Sequence, residues 1–514
     1  MEAKSNIRHM TADETGDDDQ INEALSGSQA DSLESLLISP QTVLAENPGI
    51  SVISAALLIT NAALGAGLLN FPLAFHESGG LVPGNFVHLF FVLATAGSLY
   101  ILAMTADRFK SRTYQEMVSD QCGVWAGHFA SACIALYCLI TCITFIIIVG
   151  DQTDRFFADF VGPNFCESWW LQRRFTMSLA GVAVLALSLF RDMAKLVSMG
   201  YLGSVFMVYL VVVVVVVWRI GGYQPGEVVV FDKHKMLHLF NVLPTICFGY
   251  QCHVSSVPIY HSIRDRSKSK YFMACTLAMA ACALVYSLAA NVGYLTFGST
   301  VADDLLLSYD NDHRGAVAVS VAVIALALKS IATYPVLMFC VREAVVSFYV
   351  SARDLSPADA QRTEPVRRYV VVVLLWLVSL GAALLAESIA SVVKLLGSLA
   401  SFFIFILPGL CLLAESNRMS DERTASGPTP HILQGVRHAS SWGTTQVLFA
   451  RIVALTFISL GVFTFGLSVT MAGMSAFSSS SSSAPLCVVG DNSSYSSIDV
   501  LERYRFSWLP SYPY

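Results

Sequence analysis

The stretch "NAALGAGLLNFP", Asn61 to Pro72, lies inside an apolar run from about Ser51 to Phe75 that is long enough to cross a bilayer. It nevertheless holds two asparagines, two glycines two residues apart and a proline. Glycine and proline are poor interior helix residues, and a carboxamide in hydrocarbon costs free energy unless it is hydrogen-bonded. Unwound backbone at membrane depth is tolerated where it is buried in protein or lines a water-filled cavity. The stretch therefore reads as an interrupted membrane span.

The rest of the chain sets that span in a series. Its 514 residues are 55% hydrophobic and 13% charged, with a mean hydropathy of +0.60, whereas a soluble domain carries about 25% charged residues. Runs of about 20 apolar residues recur along the length, the pattern of helices crossing a core ~30 Å thick. The class is an all-α polytopic membrane protein, with eleven spans at about 51–75, 81–106, 127–150, 174–190, 197–218, 236–260, 271–297, 315–345, 368–386, 390–414 and 447–473. The organisation expected is an acidic tail over 1–47 ("DETGDDDQ") without helical periodicity, read as disordered. A ten-helix core over 48–415, a loop over 416–446, an eleventh helix over 447–473 and a Ser-rich tail over 474–514 follow. No cleavable signal peptide is expected ahead of the first span. No nucleotide-binding loop, metal cluster or hydrolytic triad stands in a coherent context, so neither an enzyme nor a nucleic-acid binder is expected.

Lys and Arg set the expected orientation. With the N-terminus in the cytosol, the cytosolic loops hold seventeen of them and the opposite loops seven. The sequon Asn492-Ser493-Ser494 then falls on the glycosylated side, in the C-terminal tail. Of the twelve cysteines, most lie in apolar runs, where a thiol is a small hydrophobe. Cys166 and Cys487 fall in segments placed outside the cytosol, where they either pair or stay free thiols.

The sixth span, "NVLPTICFGYQCHVSSVPIY" from Asn241 to Tyr260, is also interrupted, by Pro244, Gly249, Gln251, His253, two serines and Pro258. Glycine alone is common in membrane helices as a packing residue. Two interrupted spans five apart are a different signal, because a 5+5 inverted repeat places its discontinuous helices at corresponding positions with a site between them. Free N–H groups at a half-helix start favour a carboxylate, and free C=O groups favour an ammonium or a metal cation. An amino acid zwitterion carries both charges.

"NAALGAGLLNFPLAF", "ICFGYQCHVSSVPIY", "YLTFGSTVADDLLLSY", "ATYPVLMF" and "LPGLCL" together resemble the sodium-coupled neutral amino acid transporters, solute carrier family 38 of the amino acid/auxin permease group, and within it the seventh and eighth members. The likeness runs over residues 50–415 and extends to the last span. It implies a LeuT-like 5+5 fold with one extra helix, symport of small neutral L-amino acids such as glutamine with sodium as the coupling ion, no other cofactor, and a lysosomal or plasma membrane setting. Carried over residue by residue, Asn61 takes part in cation coupling and substrate binding. Gly65, Ala66 and Gly67 form the unwound segment whose amides meet the carboxylate, Phe248, Gly249 and Tyr250 form the break in the sixth span, and Thr333 is the hydroxyl at the sodium site. Ser330, three residues before Thr333, shares its helical face and adds a second hydroxyl; the alternative is that both bond back to their own helix.

Lys329 departs from a sodium site. It stands one turn before Thr333, and an ammonium at membrane depth is either functional or a snorkelling or paired structural group. His253 either lines the pathway or packs between helices, while His88 and His238 are read as interfacial. Asp151 is read as closing the third span at the non-cytosolic interface, and the valine run 211–217 as facing lipid. The function expected is secondary transport of a small neutral amino acid by alternating access, with sodium-independent or proton-coupled transport as one alternative. A sensor signalling through its N-terminal tail is another.

Overall fold

The computed structural model describes residues 49–161, 165, 168–189, 193–309, 316–353, 357–386, 389–425 and 444–477. Residues 1–48 and 478–514, with Cys166, lie outside the described residues, so the pairing or freedom of Cys166 and Cys487 and the glycosylation of Asn492 do too. The described chain is helical, apart from short connections. In order it runs α1 (Val52–Ala63), α2 (Phe71–Glu77), α3 (Leu81–Phe109), α4 (Tyr114–Cys122), α5 (Val124–Val161), α6 (Arg173–Ser188), α7 (Met193–Ile220), α8 (Leu243–Gly249) and α9 (His253–Ser262). Then come α10 (Lys268–Phe297), α11 (Ala316–Ala352), α12 (Pro357–Leu385), α13 (Ile389–Ser401), α14 (Leu407–Ala425) and α15 (Thr444–Phe477).

Among the described residues, eight helices are long and apolar enough to cross a membrane, and the bent pair Val52–Ala63 with Gly67–Glu77 makes a ninth candidate. α6 has 16 residues, and α8 and α9 have 7 and 10, each short of the ~20 that a straight crossing needs. Large apolar side chains such as Phe86, Leu93, Leu179, Leu374 and Phe449 are exposed, as lipid-facing residues must be. The valine run corrects our expectation. Val212 and Val216 are 52% and 47% exposed, but Val211, Val213, Val214 and Val217 are buried. At 3.6 residues per turn, seven consecutive residues cannot share one face.

Local chemistry sets the helix ends. Ser51 caps α1 by accepting from the Ser54 amide at 3.1 Å, and Ser267 caps α10 from Lys270 at 3.2 Å. Thr113 and Glu116 form a capping box that starts α4. Gly80 turns the chain from α2 into α3 at φ 117°, where a Cβ would lie 2.4 Å from the Val229 carbonyl oxygen; no other residue fits there. α5 runs eleven residues past the expected end at 150, which places Asp151 inside a helix. Its charge is met by Arg173 at 2.5 Å, and an ion pair is what lets an acid sit within a helix of a membrane protein.

α5 and α11 pack along their lengths, α7 lies against α11, α8 packs on α13, and α1 lies on α10. Gly397 lets α13 approach α8 so closely that a Cβ would meet Pro244 backbone atoms at 2.2–2.6 Å. The segment before α1 pairs with the end of α9: the Ile50 amide donates to Ser262 O at 2.8 Å and the Arg264 amide to Ile50 O at 3.0 Å. Tyr260 of α9 donates to Asp107 of α3 at 2.9 Å, and Arg108 pairs with Glu415 of α14 at 2.7 Å. The two interrupted spans are thus tied together at one end of the bundle.

Candidate functional site between two broken helices

α1 stops at Ala63. Leu64 leaves the helix at φ -71° and ψ 86°, Gly65 is extended, Ala66–Asn70 form a 3₁₀ turn, and α2 follows, with a 58° bend between the halves. The sixth span breaks in the same manner, α8 ending at Gly249 and α9 starting at His253. The two breaks meet. A Cβ on Gly67 would lie 3.1 Å from Gly249 Cα and 3.1 Å from the Phe248 ring, so the backbones cross here because one position has no side chain. Gly65 differs: a Cβ there would meet only the Ala63 oxygen, at 3.8 Å. Both glycines have negative φ values, so it is space and not a left-handed backbone that selects them.

Breaking a helix exposes carbonyls at the end of the first half and amides at the start of the second. The chain meets the carbonyls itself. The Tyr286 hydroxyl of α10, fully buried, lies 2.9 Å from Ala63 O and 2.8 Å from Gly249 O, so one proton is shared between the two breaks. The next carbonyl, Leu64 O, accepts from Lys329 Nζ of α11. On the sixth span, Gln251 Oε1 accepts from the His253 amide at 2.9 Å and caps α9. The amides of Ala66 and Gly67 open the 3₁₀ turn and have no intrahelical acceptor, since its first bond is Leu68 N to Gly65 O at 3.3 Å.

The residues expected at the site fall into two groups. Gly65, Ala66, Gly67, Phe248, Gly249 and Tyr250 are brought together at the crossing. The Tyr250 side chain is fully buried and its hydroxyl is bonded to His88 Nε2 at 2.6 Å, with Ser287 3.3 Å from Nδ1. His88 is therefore a core residue of α3, 3% exposed, and not interfacial as its sequence position suggested; a bonded partner is what makes its burial affordable. His253 is also fully buried, next to Gln251, whereas His238 is exposed. The expected cation ligands form the second group. Asn61 Oδ1 accepts from Ser204 of α7 at 2.9 Å. Ser330 and Thr333 donate back to Leu326 O and Lys329 O at 3.0 and 2.8 Å, the back-bonding that the sequence left open. Their lone pairs remain free to accept.

A family model described as "Transmembrane amino acid transporter protein" matches residues 48–424. The chain belongs to this family. Sodium-coupled neutral amino acid transporter 7 of Xenopus laevis is 38% identical over 371 residues, which cover 71% of this chain and 81% of that protein. Its Homo sapiens counterpart is 36% identical over 383 residues, covering 73% and 82%. Solute carrier family 38 member 8 of Homo sapiens is 34% identical over 376 residues, covering 71% and 85%. Among solved structures, MhsT in complex with L-phenylalanine aligns over 82% of this chain and 100% of that one with a TM-score of 0.55 at 15% identity, which establishes a shared fold. The resemblance read from the motifs holds: this is an amino acid transporter of solute carrier family 38, and its relatives are transporters and not enzymes.

Several residues of this family member escaped the sequence reading. Tyr286 sits in an apolar run with nothing to mark it as the bridge between the breaks. Asn70, 4% exposed, holds its Nδ2 without a partner in the 3₁₀ turn. Asp304, in the connection between α10 and α11, is fully buried, receiving Gln152 Nε2 of α5 at 2.6 Å and the Leu306 amide at 2.8 Å. Burial pushes the Asp304 carboxyl up to about 7, helped by nearby Asp151 and Asp303 and opposed by its two donors. The residues after Asp304 pack on the 3₁₀ turn of the break, so this connection covers the site from its second half.

Proposed function

We propose that this protein is a secondary active transporter of small neutral amino acids, glutamine the first to test, working by alternating access with eleven spans and a 5+5 repeat. One observation carries the reading: the two interrupted spans, five apart, meet at Gly67 and Gly249 under a shared Tyr286 hydroxyl. Two packing defects at unrelated positions would not converge on one point, whereas a discontinuous-helix site requires it. The substrate carboxylate binds the amides of the Gly65–Gly67 turn, and Phe248 to Tyr250 form the facing wall. The excess of Lys and Arg supports a cytosolic N-terminus, which would put Asn492 on the glycosylated side and Cys166 and Cys487 in the same compartment, as a pair or as free thiols. A lysosomal membrane is favoured over the plasma membrane by likeness to the seventh member alone.

Sodium symport comes to this chain from the printed names of its relatives, with Asn61, Ser330 and Thr333 as the residues to hold the ion. A second reading, transport without sodium, is favoured by the Lys329 ammonium on the Leu64 carbonyl. Uptake of radiolabelled neutral amino acids into proteoliposomes holding the purified full chain is the test. Accumulation of glutamine, abolished by Gly67→Val, supports transport. Saturable binding without flux supports instead a sensor that reports through residues 1–47.

A further inference from the structure

Sodium is a hard cation and needs a set of oxygens with negative or partly negative charge. In this fold the natural one is the carbonyl end of the first half-helix, where the helix dipole and unpaired C=O groups meet. In this chain that position is taken. Lys329 is 8% exposed and its ammonium donates to Leu64 O. Its stem lies along Gly203 of α7, where a Cβ would be 3.1 Å from Lys329 Cγ. Among the described residues no carboxylate pairs with it. A buried lysine with no acidic partner is held in place by the carbonyl that it meets, here Leu64 O. Of the other expected ligands, Asn61 Oδ1 accepts from Ser204, and Ser330 and Thr333 donate to their own helix, so the lone pairs they keep are neutral ones that do not offset the ammonium's charge. A second monovalent cation a few ångströms from this ammonium, in a low-dielectric interior, would be strongly repelled. The residues present do not fit a sodium ion beside Lys329.

We propose that the Lys329 ammonium is the resident cation of this carrier: seated on the Leu64 carbonyl, it fastens α11 to the first half-helix in the place of sodium, and substrate movement needs no sodium ion. The inference rests on the transport reading above for its flux consequence, and on the geometry of α1, α7 and α11 alone for the exclusion of sodium. Lys329 is a positioning residue here, acting through Leu64.

The experiment compares wild type, Lys329→Thr and Lys329→Arg, each purified as the full chain, in sodium chloride and in choline chloride. Melting temperature in detergent and glutamine uptake in proteoliposomes are read in both salts. Wild type and Lys329→Arg are expected to melt alike in the two salts, and wild type to take up substrate equally. Lys329→Thr removes the charge and adds an oxygen, so sodium is expected to raise its melting temperature and restore uptake. In choline its uptake falls about tenfold or more, the scale of one lost hydrogen bond to a charged group. A wild-type melting temperature that rises with sodium, or wild-type uptake that drops about tenfold in choline, overturns the proposal. So does a Lys329→Thr protein that matches wild type in both salts. If Lys329→Thr does not fold, the wild-type and Lys329→Arg pair decides by itself. If wild type moves no amino acid in either salt, the transport reading fails while the melting comparison still judges the lysine.

Discussion

Tyr286→Phe is the substitution that isolates the bridge between the breaks. The hydroxyl is its only polar atom, and it serves Ala63 O at 2.9 Å and Gly249 O at 2.8 Å. The ring survives the change, still stacked on Phe71 with centroids 4.3 Å apart and on Tyr250 at 5.1 Å, so no cavity of consequence opens. One proton is shared between two acceptors, so a single bond's worth is lost. A buried acceptor left unsatisfied costs about 1–3 kcal/mol in soluble proteins, while membrane helices average nearer ~0.6 because freed groups find other partners. Here the acceptors sit at fixed helix ends, and Leu64 O next to them is already taken by Lys329. We therefore expect about 1–2 kcal/mol, or a rise of about 5- to 30-fold in the glutamine dissociation constant. Equilibrium binding of radiolabelled glutamine to the purified protein measures it. Tyr114→Phe is the control, because it removes an equally buried hydroxyl, 3.1 Å from Phe403 O and away from the breaks. If both variants lower the melting temperature to the same degree and neither weakens binding, the crossing of the broken helices is structural and the site lies elsewhere.

Gly65→Ala and Gly67→Ala are the same chemical change with different expected results. A methyl at Gly67 strikes the Gly249 backbone at 3.1 Å, so melting temperature and uptake both fall; at Gly65 it meets nothing closer than 3.8 Å, so the fold is kept while binding weakens. A Gly65→Ala protein that binds like wild type would place the carboxylate away from this turn. Asp304 gives a pH dependence whose sign is set by a carboxyl raised from 3.8 to about 7. Its contribution to stability is fully present below about 4 and is lost as pH rises through about 7, because the folded state prefers the protonated form. Melting temperature is expected to be higher at pH 5 than at pH 7.5, and Asp304→Asn to flatten that difference; an unchanged slope in the variant would assign it to other groups.

The composition and the two interrupted spans made the fold class and the crossing legible, because glycine and proline at membrane depth have few explanations. Gly67 was legible for that reason, and Gly249 with it. Tyr286 was not, since a tyrosine in "LVYSLAAN" looks like any amphipathic side chain until the helix is placed against both breaks. His88 was misread for a related cause: proximity to a span end suggested an interface, whereas its partner Tyr250 lies 162 residues away in sequence. The end of the third span was set too early at Asp151, because its partner Arg173 opens the next helix and pairing lets α5 continue past the acid. Patterns along the chain reveal what the backbone cannot do. They do not reveal which distant side chain makes good the deficit.

That deficit is lopsided at the breaks, and its asymmetry bears on what binds. The acceptors Ala63 O, Leu64 O and Gly249 O already hold a hydroxyl or an ammonium. The donors are less well served: the amides of Ala66 and Gly67 have no intrahelical acceptor, and Asn70 Nδ2 is buried without a partner. A ligand is recognised through what the protein lacks, and this turn lacks acceptors more than donors. On the proposed function, the carboxylate of an amino acid is therefore expected to supply most of the recognition, while its amino group would compete for second lone pairs on occupied carbonyls. Glutamine methyl ester, which loses the anionic carboxylate, is expected to bind about tenfold or more weaker than N-methylglutamine, given that hydrogen bonds to a charged group are worth about twice neutral ones. Competition against radiolabelled glutamine ranks the two directly. An ester that competes as well as the N-methyl compound would mean that the amides of the first break do not hold the carboxylate, even if the chain transports glutamine.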